Sequence, residues 1–173
     1  MMMTDTRTIP VDLCFLREEL LYDAANSAYV AGDVMKVEDE HQRHQAIDII
    51  QDGNVDRVTR VLNLAAAACR EALYPFTKKD VGSYETRDDV LEEVDNYVIH
   101  MEVPPSFSKT TITLLEQLIH EFMVARVLAD WMSQTNPEAE KTWEKKAEVA
   151  LLAFRRARNN RTGKARRRLH PFG

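Results

Sequence analysis

The chain has 173 residues, of which 45% are hydrophobic and 29% charged, and its formal net charge is −5 at pH 7. That length fits one domain with a sizeable core, and the apolar content excludes a wholly disordered chain. The sequence has no run of about 18 apolar residues, so it predicts no membrane-spanning helix, and its opening residues predict no signal peptide.

The N-terminal half contains three predicted helical segments, of which residues 33–51 are almost wholly polar in their middle. In residues 11–31 the apolar side chains recur at helical spacing, and Gly32 follows where a helix would end. Residues 54–74 form a second, alanine-rich amphipathic segment, which Pro75 terminates. Cys14 and Cys69 lie within these apolar patterns, which favours reduced, structural thiols in a cytoplasmic protein.

Residues 97–103 show the alternation of a β-strand. The alternating apolar positions are Tyr97, Ile99, Met101 and Val103. A single strand is not stable alone, so it needs a partner from the N-terminal arm, from the C-terminal tail or from another subunit. We therefore interpret it as a possible inter-subunit strand.

The C-terminal half contains the clearest helical pattern. Residues 109–133 have a broad apolar face, residues 138–158 return with a second one, and a short turn at Asn136 and Pro137 joins them. Two amphipathic helices with so short a connection form an antiparallel αα-hairpin. The predicted fold is mainly α: a helical bundle with a long αα-hairpin, a short β element and extended termini.

The charge of the chain is divided unequally along its length. Residues 155–173 carry eight of the 23 Lys and Arg and no acid, which leaves residues 1–154 with a formal charge of −13. We predict three parts: an N-terminal arm (1–10), a helical body (11–154) and a basic C-terminal arm (155–173). The candidate docking residues of that arm are Arg155, Arg156, Arg158, Arg161, Lys164, Arg166, Arg167, Arg168, Leu169 and Phe172.

A basic arm of this composition has three interpretations. It can neutralise the phosphates of a nucleic acid. It can dock on an acidic protein surface, with Leu169 and Phe172 filling a pocket. It can also be a solvated tail that aids solubility. The excess of arginine over lysine favours the first two, because a guanidinium binds carboxylates and phosphates in a bidentate manner.

Residue patterns that carry chemistry are scarce. Glu38 and His41, together with Glu116 and His120, are the candidates for a di-metal carboxylate site, but the polar surroundings of the first pair favour a solvated helix face. His120 alone is typical of a hydrogen-bonded histidine at a packing boundary. Phosphate-binding loops and nucleophile motifs are missing from the sequence. We expect no catalytic residue, no metal and no cofactor.

Two segments resemble a known protein family over about half of the chain. Residues 61–76 (VLNLAAAACREALYPF) and residues 105–131 (PSFSKTTITLLEQLIHEFMVARVLADW) resemble the small helical head–tail connector, or adaptor, proteins of tailed bacteriophages and prophages. The resemblance implies a non-enzymatic structural protein, made in the bacterial cytoplasm and located in the virion neck. Its implied partners are further copies in a ring, the portal protein and tail-side neck proteins, with DNA in the channel and no membrane.

Two other functions remain open from the residues. One is a cytoplasmic nucleic-acid-binding accessory protein that uses the arginine-rich tail. The other, with less support, is a di-metal helical-bundle enzyme.

Overall fold

The computed structural model describes residues 8–34, 40, 44, 47–78 and 94–159. In this part of the chain the elements, in order, are β1 (Ile9–Leu16), α1 (Arg17–Val34), α2 (Asp52–Ala72), β2 (Asn96–Val103), α3 (Lys109–Thr135) and α4 (Pro137–Asn159). The mainly α fold with a short β element that the sequence predicts is therefore confirmed. None of the described helices is long and apolar enough to cross a membrane.

Helix α3 is the centre of the fold. Because apolar residues occupy most of its circumference, it buries side chains toward α1, α2, β1 and α4 at once. Helix α4 packs along its length, and the rings of Phe122 and Phe154 meet edge to face with centroids 5.9 Å apart. The predicted αα-hairpin is thus confirmed.

The hairpin turns at a single residue, Asn136. Its backbone N–H donates to Met132 O at 2.8 Å, which closes α3. Its side-chain Oδ1 accepts from the Ala139 N–H at 3.2 Å, which satisfies a free donor in the first turn of α4. One asparagine therefore ends one helix and begins the next.

The predicted strand finds its partner within the chain. Strands β1 and β2 pair antiparallel from Ile9 opposite Val103 to Leu16 opposite Asn96. The four alternating residues of β2 are all buried against the helices: Tyr97, Ile99, Met101 and Val103. This intra-chain pairing corrects the expected inter-subunit strand, because the strand is already completed and its apolar face lies in the core.

The helix predicted over residues 11–31 is wrong in its first part. Residues up to Leu16 belong to β1, and the helix runs from Arg17 to Val34, past Gly32. In β1 the buried side chains of Leu13 and Phe15 alternate with exposed neighbours, which is strand periodicity. Leu13, Leu16 and Leu20 also fall at helical spacing, so the sequence alone allows a helix here. Pairing with β2 decides for the strand.

Helix α2 is tied to the hairpin at both ends. Near its start, Arg57 Nε donates to Asp130 Oδ2 at 2.6 Å and Arg57 Nη2 donates to Asp130 O at 3.1 Å. At its end, the Arg158 guanidinium of α4 donates to Ala72 O and, at 2.7 Å, to Tyr74 O. The second contact satisfies carbonyl groups that a helix C-terminus leaves without intrahelical partners.

Candidate docking surface

A cavity of about 520 Å³ opens on one flank of the hairpin, between α1, α3 and α4; we call it the α1 groove. Its wall on α4 contains Lys146, Val149, Ala150 and Ala153, which are spaced three or four residues apart and so share one helix face. Since α4 packs chiefly against α3, the space between α4 and α1 remains open.

The inner surface of the α1 groove is apolar. Val124 and Ala125 of α3 and Ala150 of α4 are buried there, and Trp143 is half-buried at one end. Val149 stands at the edge with 59% of its surface exposed. Small side chains from α3 and α4 thus leave a recess whose inner surface is suited to apolar groups.

Polar side chains line the rim of the α1 groove. Nε2 of His120 lies 2.7 Å from Oδ2 of Asp23, a contact that joins α3 to α1 across 97 positions of sequence. The prediction of a hydrogen-bonded histidine at a packing boundary is confirmed for His120. On the α4 side, Lys146 Nζ lies 3.9 Å from the centroid of the Trp143 ring, a cation–π contact.

A second cavity of about 430 Å³ lies next to the α1 groove, between β1 and α3. His120 and Glu121 line both cavities, and the second adds Glu116 and Cys14. Together the two cavities present three carboxylates, from Asp23, Glu116 and Glu121, against the single ammonium of Lys146. The joined surface is therefore acidic at its rim and apolar at its floor.

The opposite flank of α4 carries a smaller recess of about 200 Å³, the α2 groove. It is lined by Leu64 and Ala68 of α2 and by Leu151 of α4, with Glu144 and Glu148 above them. Leu64 is 64% exposed. Helix α4 thus stands between two recesses that the described residues leave open.

Three of the predicted docking residues of the basic arm lie within the described residues. Arg155 and Arg156 are exposed on the last turns of α4. Arg158 instead directs its guanidinium to the end of α2, which gives it a structural contact. The remaining candidates lie outside the described residues: Arg161, Lys164, Arg166, Arg167, Arg168, Leu169 and Phe172.

Only half of the proposed di-metal set lies within the described residues. Glu38 and His41 fall outside them, whereas Glu116 and His120 line one cavity. Residues 8–34, 47–78 and 94–159, with 40 and 44, contain no group of three or more His, Cys, Asp or Glu arranged to hold a metal ion. Nε2 of His120 is directed at Asp23 instead.

Sequence reasoning finds His120 but misses Asp23 and the groove. Asp23 lies in a helical segment whose polar positions all look alike, so nothing local distinguishes it from a solvated aspartate. Trp143 belongs to the apolar pattern of residues 138–158, yet it is half-buried at the groove. The useful signal was the small side chains at Ala125 and Ala150, which leave space between helices.

The chain matches no protein-family model, no curated protein and no solved structure.

Proposed function

We propose that this protein is a structural head–tail connector of a tailed phage or prophage. Copies of the chain form a ring below the portal, and the basic C-terminal arm docks on an acidic protein surface. The observation that carries the proposal is the surface of the αα-hairpin, where two apolar recesses flank α4 beside an arm of opposite charge to the body. Surfaces of this kind suit repeated contacts between protein chains.

Exposed apolar side chains add support for protein–protein contacts. Tyr22, Tyr29 and Val30 lie on α1, and each exposes more than half of its surface. Asn26, which lies between Tyr22 and Tyr29 along the helix, lines the α1 groove. Exposed aromatic side chains beside a recess are typical of surfaces that contact other proteins.

The experiment is quantitative mass spectrometry on phage-like particles purified from induced cells of the source bacterium. The proposal expects peptides of this chain at a fixed ratio to the portal protein. Peptides that remain in the soluble fraction, with none in the particles, would contradict it.

A nucleic-acid accessory protein would give a different result. Duplex DNA is titrated into the full chain and into a chain lacking residues 164–173, at low and at high salt. Micromolar binding that falls steeply with salt and disappears with the truncation would favour that function, because released counterions produce this dependence. The connector proposal expects weak binding that the truncation leaves nearly unchanged.

A further inference from the structure

We propose that the α1 groove is the receptor for the C-terminal segment, residues 160–173, of a second copy of this chain. The inference rests on the proposed function, since it supplies a contact that joins neighbours in the ring. In this inference the segment binds to the neighbouring copy in the ring, not to the portal protein.

The groove and the segment match in charge. The segment contains five cationic residues and no acid. Asp23 and Glu121 stand on the rim of the α1 groove, and Glu116 lies in the adjoining cavity. Arginine is suited to such carboxylates because its planar guanidinium forms two parallel hydrogen bonds.

The groove and the segment also match in apolar surface. Leu169, Pro171 and Phe172 follow the arginines at the end of the segment. The floor of the groove, at Val124, Ala125 and Ala150, is apolar and recessed. Basic residues on the rim and an aromatic ring on the floor would satisfy both parts of the surface.

Lys146 limits where an incoming cation can bind. Its Nζ lies 3.9 Å from the centroid of the Trp143 ring, so this ring already has a cation partner. Lys146 is the one Lys or Arg among the residues that line the groove, and its charge directs incoming guanidinium groups toward Asp23 and Glu121.

The second copy is chosen as the donor of the segment because the proposed ring needs a contact between copies. The fourteen residues that follow Asn159 span at most about 46–50 Å when extended. Ala153, six residues before Asn159, lines the groove, so the chain's own segment is also long enough to reach it. A mixture of labelled and unlabelled copies therefore has to distinguish the two.

The first test is a photo-crosslinking amino acid placed at Val149 in the full chain. This chain is mixed with an isotope-labelled copy, and the crosslinked peptides are identified by mass spectrometry. We expect peptides from residues 160–173 that carry the other copy's label. The same crosslinker at Leu152, an equally helical position that is 50% exposed but does not line the groove, is the matched control.

Several outcomes of this test overturn the inference. Crosslinks that join Val149 only to the segment of the same copy would place the tail in its own groove. Equal crosslinking from Leu152 would indicate a non-specific contact. A full chain that remains monomeric at its highest attainable concentration, with no crosslink, would remove the second copy as the occupant.

The second test measures self-association of full-length variants by sedimentation equilibrium. We expect Val149→Lys and Phe172→Ala each to weaken association by about tenfold or more, the first because it adds a positive charge where a basic segment binds and the second because it removes the aromatic anchor. Leu152→Lys, which adds the same charge outside the groove, is expected to change it by less than about twofold. Equal effects of the two lysine variants would contradict the groove as the receptor.

Failure of the inference and failure of the proposed function are distinguishable. Particles that contain the chain at a fixed ratio to the portal, without any crosslink from Val149 to the segment, would remove the inference and leave the connector in place. A crosslink between copies, with no chain in the particles, would remove the connector and support the groove as a self-association site.

Discussion

Cys14 and Cys69 lie in similar apolar sequence patterns, yet the fold places them in opposite environments. Cys69 is fully buried in α2, and burial raises the pKa of its thiol to about 12, although the neighbouring charge of Arg70 lowers it in part. Cys14 is exposed on β1. Since the thiolate is the reactive form, burial protects Cys69 in two ways, by restricting access and by opposing its ionisation.

We expect a thiol reagent at neutral pH to modify Cys14 within minutes and to leave Cys69 unmodified until the protein unfolds. Counting labelled thiols by mass spectrometry, before and after addition of denaturant, measures this. The Cys14→Ser variant is the control and should show no fast reaction. Rapid labelling of Cys69 in the folded protein would mean that the core around α2 opens readily.

His120 illustrates which properties of a residue are readable from sequence. Its apolar neighbours along the helix indicate a packing boundary, because helical spacing is a local property. Its partner Asp23 lies 97 positions away, so the pair arises only when α1 packs on α3. The type of environment was therefore predictable, whereas the contact and the groove beside it were not.

Among the elements, β2 and α3 were predicted closely and β1 was missed. The alternation of residues 97–103 identifies β2, which spans Asn96–Val103. Helix α3 buries residues on most of its circumference, so a long apolar pattern identifies it without knowledge of its neighbours. In β1, Leu13 and Leu16 have the three-residue spacing of a helix, and pairing with β2 decides for a strand.

Phe122→Asp tests the packing of α3 against α4. Phe122 is buried and meets the Phe154 ring, so the variant loses about 3–5 kcal/mol of aromatic packing and also buries a charge without a partner. That loss is comparable to the whole stability of many domains, and we expect the thermal transition to disappear. Circular dichroism on heating measures this.

The matched control for Phe122→Asp is Leu114→Asp on the same helix. Leu114 is 45% exposed, so we expect its variant to retain a cooperative transition. A normal transition for Phe122→Asp would show that the α3–α4 interface contributes little to the stability of the fold.

At the scale of the molecule, the C-terminal end of α4 is joined to the end of α2. The Arg158 guanidinium donates to Ala72 O and Tyr74 O across this contact. The Arg158 side chain therefore holds the last turn of α4 against α2.

We expect Arg158→Gln to accelerate amide hydrogen exchange in the last turns of α4 and α2, because it removes hydrogen bonds from a charged group that are worth about 1.5 kcal/mol. Arg155→Gln, at an exposed position on the same turn, should leave exchange unchanged. Hydrogen exchange followed by mass spectrometry locates the effect. Equal protection in both variants would show that Arg158 does not hold the two helices together.

The pairing of β1 with β2 has a consequence for how the protein is made. Asp12 and His100, which face each other across the sheet, are 88 positions apart. A ribosome adds about 5–20 residues per second, so β1 emerges about 4–18 s before its partner exists. During synthesis the strand therefore waits without its hydrogen-bonding neighbour. On a crowded messenger RNA, the same strand of an adjacent nascent chain is the nearest competitor for that edge.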